Sequence, residues 1–132
     1  MKIAVVSDDG VTISQHFGRA AHYVVVTVEN QRIVSSEIVD KMGHAHFSGE
    51  AHGEANDSRG HGFDAGAQSR HARMLDAIAD CQVLIARGMG AGAYESIRAA
   101  NISPVVTDIP MIVDAIKEYL DGSLVNHPEK LH

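Results

Sequence analysis

Residues 82–92 read QVLIARGMGAG, and this junction between an apolar run and a glycine-rich turn decides the fold. The run at 82–86 is short, apolar and bounded by turn signals, which is typical of a buried strand. Residues 93–100 have helical spacing, and residues 101–107 predict a further strand. A strand, a helix and a second strand in this order predict a parallel crossover, which is right-handed in almost all proteins.

The N-terminal half predicts antiparallel pairing instead. Residues 2–7 (KIAVVS) form an apolar run that ends at an Asp-Asp-Gly turn. Residues 22–28 and 32–39 flank a three-residue connection, which predicts a hairpin. An apolar face at helical spacing predicts a helix over 67–80, and a last helix ends near Gly122. The order β-β-β-α-β-α-β-α predicts an α/β fold with a mixed five-stranded sheet and helices packed on it.

The composition indicates one domain and argues against several classes of function. The chain has 132 residues, of which 45% are hydrophobic, so we expect one domain at 1–122 and a C-terminal tail at 123–132. A net charge of −6 argues against nucleic acid and anionic membranes as partners. No apolar run is long enough to span a membrane, and the acids at the end of the first strand argue against a signal peptide. With its lone cysteine, Cys81, the chain fits the reducing cytoplasm and cannot hold a cluster by its own thiolates alone.

Residues 40–66 form a segment with six glycines and four histidines. Ordered connections rarely exceed about 15 residues, so we expect a flexible loop with a function. Zinc, nickel and copper all accept imidazole ligands, which makes the segment a candidate site for a single metal ion. Its histidines are His44, His46, His52 and His61. Their spacing matches no zinc-finger template, and a solvated loop that binds nothing is the alternative.

The glycine-rich turn is the first of two motifs expected where strands end. In sheets with parallel strands, ligands bind beyond the carboxyl ends of the strands. Backbone N–H groups of Gly88, Gly90 and Gly92 could face an anion beside the helix N-terminus, and Met89 could add a soft thioether contact. Arg87 could pair with the same anion. The spacing is not that of a nucleotide-binding loop, and a plain strand-to-helix turn is the alternative.

The second motif is His-Phe-Gly-Arg-Ala at residues 16–20. A neutral His16 could ligate a metal, and Arg19 could pair with an anionic ligand, although both could equally bond only backbone carbonyls. The neighbouring Asp8 and Asp9 could bind magnesium for phosphoryl transfer, but a turn role is preferred because no further acids converge on them. No nucleophile, base and oxyanion site assemble, so the sequence favours binding over catalysis.

With these motifs in order, the chain resembles the dinitrogenase iron–molybdenum cofactor biosynthesis family. The resemblance extends over nearly the whole chain, through KIAVVSDDG at 2–10, HFGRA at 16–20, DCQVLIARGMG at 80–90 and AYESIRAANI at 93–102. It implies a three-layer, ribonuclease-H-like fold that lacks the nuclease acids.

The resemblance also implies a function and a place for it. Members of the family hold iron–molybdenum cofactor or its precursors during nitrogenase assembly, or carry related molybdenum sulfide clusters. We therefore expect non-catalytic carriage of an anionic molybdenum, iron or copper sulfide cluster, with a donor or acceptor protein as partner. The resemblance suggests His16 and the glycine turn as the place of the cluster.

Overall fold

The structure is a computed structural model that describes residues 1–41 and 73–131. Five strands form one sheet; they are β1 (Lys2–Ser7), β2 (His22–Glu29), β3 (Arg32–Asp40), β4 (Val83–Ala86) and β5 (Ser103–Val106). The helices are α1 (Ala91–Ala99) and α2 (Ile112–Asp121), and a 3-10 turn spans Pro128–Lys130. Within the predicted helix at 67–80, the described part is helical at 73–76 and continues as a turn to residue 80.

The strands are arranged in the order β3-β2-β1-β4-β5. The pairs β1–β2 and β2–β3 are antiparallel, whereas β1–β4 and β4–β5 are parallel. This arrangement confirms the predicted mixed five-stranded sheet. The three parallel strands end at Ser7, Ala86 and Val106. The end of the sheet at which these residues lie is here called the rim.

Helices cover both faces of the sheet, because each face carries its own apolar cluster. One cluster joins α1 and residues 74–81 to the first face, and the other joins α2 to the second face. The central β1 is buried on both sides, and Ile3 to Val6 are 0% exposed, so its sequence is continuously apolar rather than alternating. The chain therefore forms three layers; the ribonuclease-H-like classification stays a prediction.

Strand β3 lies at the edge of the sheet and is exposed along most of its length. The register shifts between Thr27 and Val28, which marks a bulge where β2 pairs with β3. Bulges discourage an edge strand from pairing with another chain. The hairpin turn itself uses positive φ at Asn30 and Gln31, as a two-residue connection between right-twisted strands requires.

The chain after α2 returns to the rim. Gly122, in the left-handed conformation at φ 81°, ends α2 where the sequence predicts. Further on, the His127 N–H donates to the Val106 carbonyl at 2.8 Å, and the Asn126 side chain accepts from the Val106 N–H at 2.8 Å. Leu131 then forms a β-bridge with Met89. Among the described residues, no helix is long and apolar enough to cross a bilayer.

Candidate ligand site at the rim

The two motifs predicted from the sequence lie side by side at the rim. The Phe17 N–H donates to the Gly88 carbonyl at 2.9 Å, and the Arg87 N–H donates to the Ser14 carbonyl at 3.0 Å. The Ser14 N–H in turn donates to the Val6 carbonyl at 2.9 Å, which ties the same segment to β1. Backbone hydrogen bonds therefore bring the His16 turn and the glycine turn together.

The His16 turn, residues 16–20, is anchored in the core by Phe17 and Ala20. Phe17 is 1% exposed and belongs to the apolar cluster under α1, whereas His16 and Arg19 are exposed. The N–H groups of Arg19 and Ala20 both donate to the His16 carbonyl at 3.1 Å, which closes the turn. The turn thus presents an imidazole and a guanidinium group at the rim.

The glycine turn, residues 87–92, leads directly into α1. Gly90 is the N-cap residue, no side chain of the described residues caps the helix, and its first turn contains no acid. The N-terminal N–H groups of α1 and the helix dipole therefore favour an anion here. Met89 differs from its prediction in one respect: at 1% exposure its thioether lies in the core rather than at the surface.

Arg87 contributes a buried side-chain hydrogen-bond donor to the rim. Its Nε atom is buried and has no hydrogen-bond partner among the described residues. Buried polar atoms without partners are rare in proteins, since each costs about 1–3 kcal/mol. The backbone N–H of Arg87 is used by Ser14, so its guanidinium group is the part that could receive a ligand.

The two aspartates after β1 both accept hydrogen bonds from backbone N–H groups. Asp9 accepts from the N–H of Thr12 at 2.7 Å, the N–H of Val11 at 2.9 Å and the Thr12 hydroxyl. These hydrogen bonds, led by the one from the Thr12 N–H, lower the pKa of Asp9 to about 2. Asp8 accepts from the Ala21 N–H at 2.9 Å. The contacts of Asp9 agree with the predicted turn role, whereas Asp8 bonds a residue 13 positions away, just before β2.

Lys41 is a rim residue that sequence reasoning missed. Only 2% of it is exposed, its Nζ donates to the Phe17 carbonyl, and it lies 4.3 Å from the centre of the Phe17 ring. The Tyr23 ring centre is 6.0 Å away, so the ammonium group faces two aromatic rings. Burial lowers the pKa of Lys41 to about 8, partly opposed by the charge of Asp8. No motif surrounds Lys41 in the sequence, and a lysine next to a loop is normally expected in solvent.

The predicted metal ligands His44, His46, His52 and His61 lie outside the described residues. Within residues 1–41 and 73–131, no group of three or more His, Cys, Asp or Glu side chains is arranged to hold a metal ion. The metal-ion hypothesis for the loop therefore stays a prediction.

Cys81 lies in the core, as predicted for a packing residue. It is 3% exposed, and burial, followed by the charge of Asp80, raises the pKa of its thiol to about 11. A thiol with a raised pKa is a poor nucleophile and a poor metal ligand.

Known structures share this fold. The apo form of the orange protein from Desulfovibrio gigas is 22% identical, with a TM-score of 0.65 and coverage of 96% of this chain and 92% of that one. A candidate dinitrogenase from Methanocaldococcus jannaschii is 12% identical, with a TM-score of 0.64 and coverage of 97% and 95%. A candidate NifB protein from Thermotoga is 18% identical, with a TM-score of 0.59 and coverage of 95% and 91%. At these identities the likeness establishes the fold alone.

A comparison with curated proteins gave no match. A comparison with protein families matches residues 1–122 to the family described as dinitrogenase iron-molybdenum cofactor. Because this match spans most of the chain, the protein belongs to the dinitrogenase iron-molybdenum cofactor family.

Proposed function

We propose that this protein binds an anionic metal–sulfur cluster at the rim and carries it, without catalysis, between a donor and an acceptor protein. The observation that carries the proposal is the pair of backbone hydrogen bonds that joins the His16 turn to the glycine turn beside Arg87. The family is described by a metal-cluster cofactor, which supports the same class of ligand. The cluster itself is iron–molybdenum cofactor, a precursor of it, or a related molybdenum, iron or copper sulfide.

The donors at the rim match the chemistry of such a ligand. Sulfide clusters carry negative charge on their surface, and the N-terminus of α1 offers backbone N–H groups and a favourable dipole. The Arg87 Nε–H has no partner among residues 1–41 and 73–131, and Arg19 adds a second guanidinium group from the neighbouring turn. A neutral His16 supplies a nitrogen that could ligate a metal of the cluster.

This set of donors suits a carrier better than a permanent holder. The candidate site relies on hydrogen bonds, charge and one imidazole, and the described residues offer no set of thiolates. Hydrogen bonds and ion pairs at a partly exposed site exchange readily with water, so the ligand can be released to another protein. Because the sequence shows no motif that assembles a nucleophile, a base and an oxyanion site, the proposal includes no reaction.

The proposal is tested by anaerobic titration of the apo-protein with tetrathiomolybdate, followed by visible absorption and equilibrium dialysis. We expect saturable binding of the wild type and about tenfold weaker binding by His16→Ala and by Arg87→Met. Arg98→Met is the matched control, because Arg98 lies in the last turn of α1, at the opposite end from the glycine turn. It should bind like the wild type.

Two results would contradict the proposal. One is an absorption spectrum and a dialysis profile that show no saturable binding by the wild type. The other is an equal loss of affinity in Arg87→Met and Arg98→Met, which would mean that general positive charge, and not the rim, holds the ligand.

A further inference from the structure

Lys41 follows β3 directly and turns its side chain inward rather than into solvent. It is 2% exposed, whereas Asp40 before it is exposed. The Lys41 N–H donates to the Ala21 carbonyl at 3.2 Å, and its Nζ donates to the Phe17 carbonyl. Both ends of the residue are thus tied to the chain segment that surrounds the His16 turn.

Phe17, the acceptor of Lys41, is fixed at every group it possesses. Its N–H donates to the Gly88 carbonyl at 2.9 Å, its carbonyl accepts from Lys41, and its ring is buried 4.3 Å from the Lys41 ammonium nitrogen. Lys41, Phe17 and Gly88 therefore form a continuous chain of contacts from the end of β3 to the glycine turn. His16 and Gly18, on either side of Phe17, have their position set by this chain.

A buried lysine at position 41 is energetically unfavourable. Removing an ammonium group from water is unfavourable, and contacts with two aromatic rings and one carbonyl offset only part of the loss. The lowered pKa of Lys41, about 8, shows that its folded environment disfavours the charged form. Methionine has a similar length and no charge, and it could pack on Phe17 and Tyr23 without this loss. Stability alone therefore does not explain the lysine.

We propose that Lys41 is a positioning residue of the rim site, whose ammonium group fixes the turn that carries His16 and Arg19 against the glycine turn. Its effect on the ligand rests on the proposed function, whereas its effect on the turn does not. Without the ammonium group, the Phe17 carbonyl loses its donor and the turn gains freedom. Ordering the turn again on binding costs free energy, and this cost lowers the affinity for the ligand.

The test compares Lys41→Met, Lys41→Arg and a control, Lys117→Met, whose lysine is exposed on α2 on the other face of the sheet. Amide hydrogen exchange at Phe17 in the apo-protein reports the turn, and tetrathiomolybdate titration reports the site. Thermal unfolding at pH 7 reports the stability of the fold. For Lys41→Met we expect Phe17 exchange at least about tenfold faster, affinity about tenfold weaker and an unfolding temperature that is not lower.

Lys41→Arg keeps the charge and a donor, and it should restore slow Phe17 exchange and most of the affinity. Lys117→Met should match the wild type in all three measurements. A merely structural lysine would show a different pattern, because affinity and unfolding temperature would then fall together in Lys41→Met.

Several outcomes overturn the proposal. They are wild-type Phe17 exchange and affinity in Lys41→Met, a marked loss of stability or failure to fold in that variant, and loss of Phe17 protection in Lys41→Arg. If the wild type itself binds no tetrathiomolybdate, the proposed function fails, and Phe17 exchange in the apo-proteins still decides whether Lys41 fixes the turn.

Discussion

Phe17 carries no chemistry of its own, yet at the scale of single residues it connects the parts of the rim. Its N–H and carbonyl bond Gly88 and Lys41, and its ring is buried beneath the turn. The sequence indicates His16 and Arg19 as functional because imidazole and guanidinium groups have recognisable chemistry. Lys41 gives no such signal, since its burial depends on a contact 24 positions away in the chain.

Asp9 should make the stability of the protein depend on pH in the acid range. Its pKa in the folded protein is about 2, below the ordinary value of 3.8, because the N–H groups of Thr12 and Val11 bond the ionised carboxylate. The contribution of this carboxylate is therefore complete above about pH 4 and is lost as the pH falls towards 2. We expect the difference in unfolding free energy between wild type and Asp9→Asn, measured by urea unfolding, to shrink over this range. An Asp9→Asn difference that is independent of pH would contradict the prediction.

Lys41 should make the stability of the protein depend on pH in the alkaline range. Its contribution rises with pH, whereas that of Cys81 falls. Because its pKa falls from 10.5 to about 8 on folding, the unfolded chain holds more protons between these values, and stability rises with pH. The raised pKa values of Cys81 and Tyr23 lower stability as the pH rises, so the comparison must be with Lys41→Met. Relative to that variant, we expect the wild type to gain up to about 1.4 kcal/mol per pH unit between pH 8 and 10 in urea unfolding. A difference that falls or stays constant would show that folding does not lower the pKa of Lys41.

At the scale of elements, the sequence predicts the strands well because apolar runs and turn residues agree. The predicted strand at 2–7 coincides with β1, and those at 22–28 and 32–39 each extend by one residue in β2 and β3. Predicted bounds at 101–107 are wider than β5, because Asn101 at φ 67° still belongs to the turn after α1. The contacts of Asn126, His127 and Leu131 with the rim could not be predicted, since a polar segment without periodicity gives no pattern to read.

The turn after β1 requires a backbone conformation at Gly10 that residues with a side chain rarely adopt. Gly10 has φ +80°, and a Cβ atom there would lie 3.1 Å from Ile38 Cδ1, so Gly10→Ala should destabilise the fold by about 1–2 kcal/mol. Gly18 is the matched control, because a Cβ atom there meets nothing within 4 Å and its φ is not positive. We expect Gly18→Ala to change the unfolding free energy by less than about 0.5 kcal/mol in urea titrations. Equal losses in both variants would contradict the assigned turn.

At the scale of the whole molecule, the three layers determine where a ligand can bind. Helices cover both faces of the sheet, and β1 and β4 are buried within it, so the ends of the strands are left as the open part of the architecture. The mixed topology brings the ends of β1, β4 and β5 together with the start of β2 at the rim. This explains why motifs some 70 residues apart in sequence, at Phe17 and Gly88, meet through a hydrogen bond.

The charge of the whole chain leads to a prediction about the rate of ligand binding. An anionic cluster approaches a protein of net charge −6, so the long-range field opposes the encounter, while the cations Arg19, Arg87 and Lys41 act only near the rim. Raising the ionic strength from about 0.01 M to 0.1 M shortens the screening length from about 30 Å to about 10 Å. The added salt weakens the repulsion between the ligand and distant carboxylates more than the attraction of the donors in contact with the ligand. In stopped-flow measurements, the association rate of tetrathiomolybdate should therefore rise by a small factor with salt. A steep fall would mean that the rim carries a positive field strong enough to dominate the negative charge of the chain, and that ligand capture is steered from a distance rather than decided by contact.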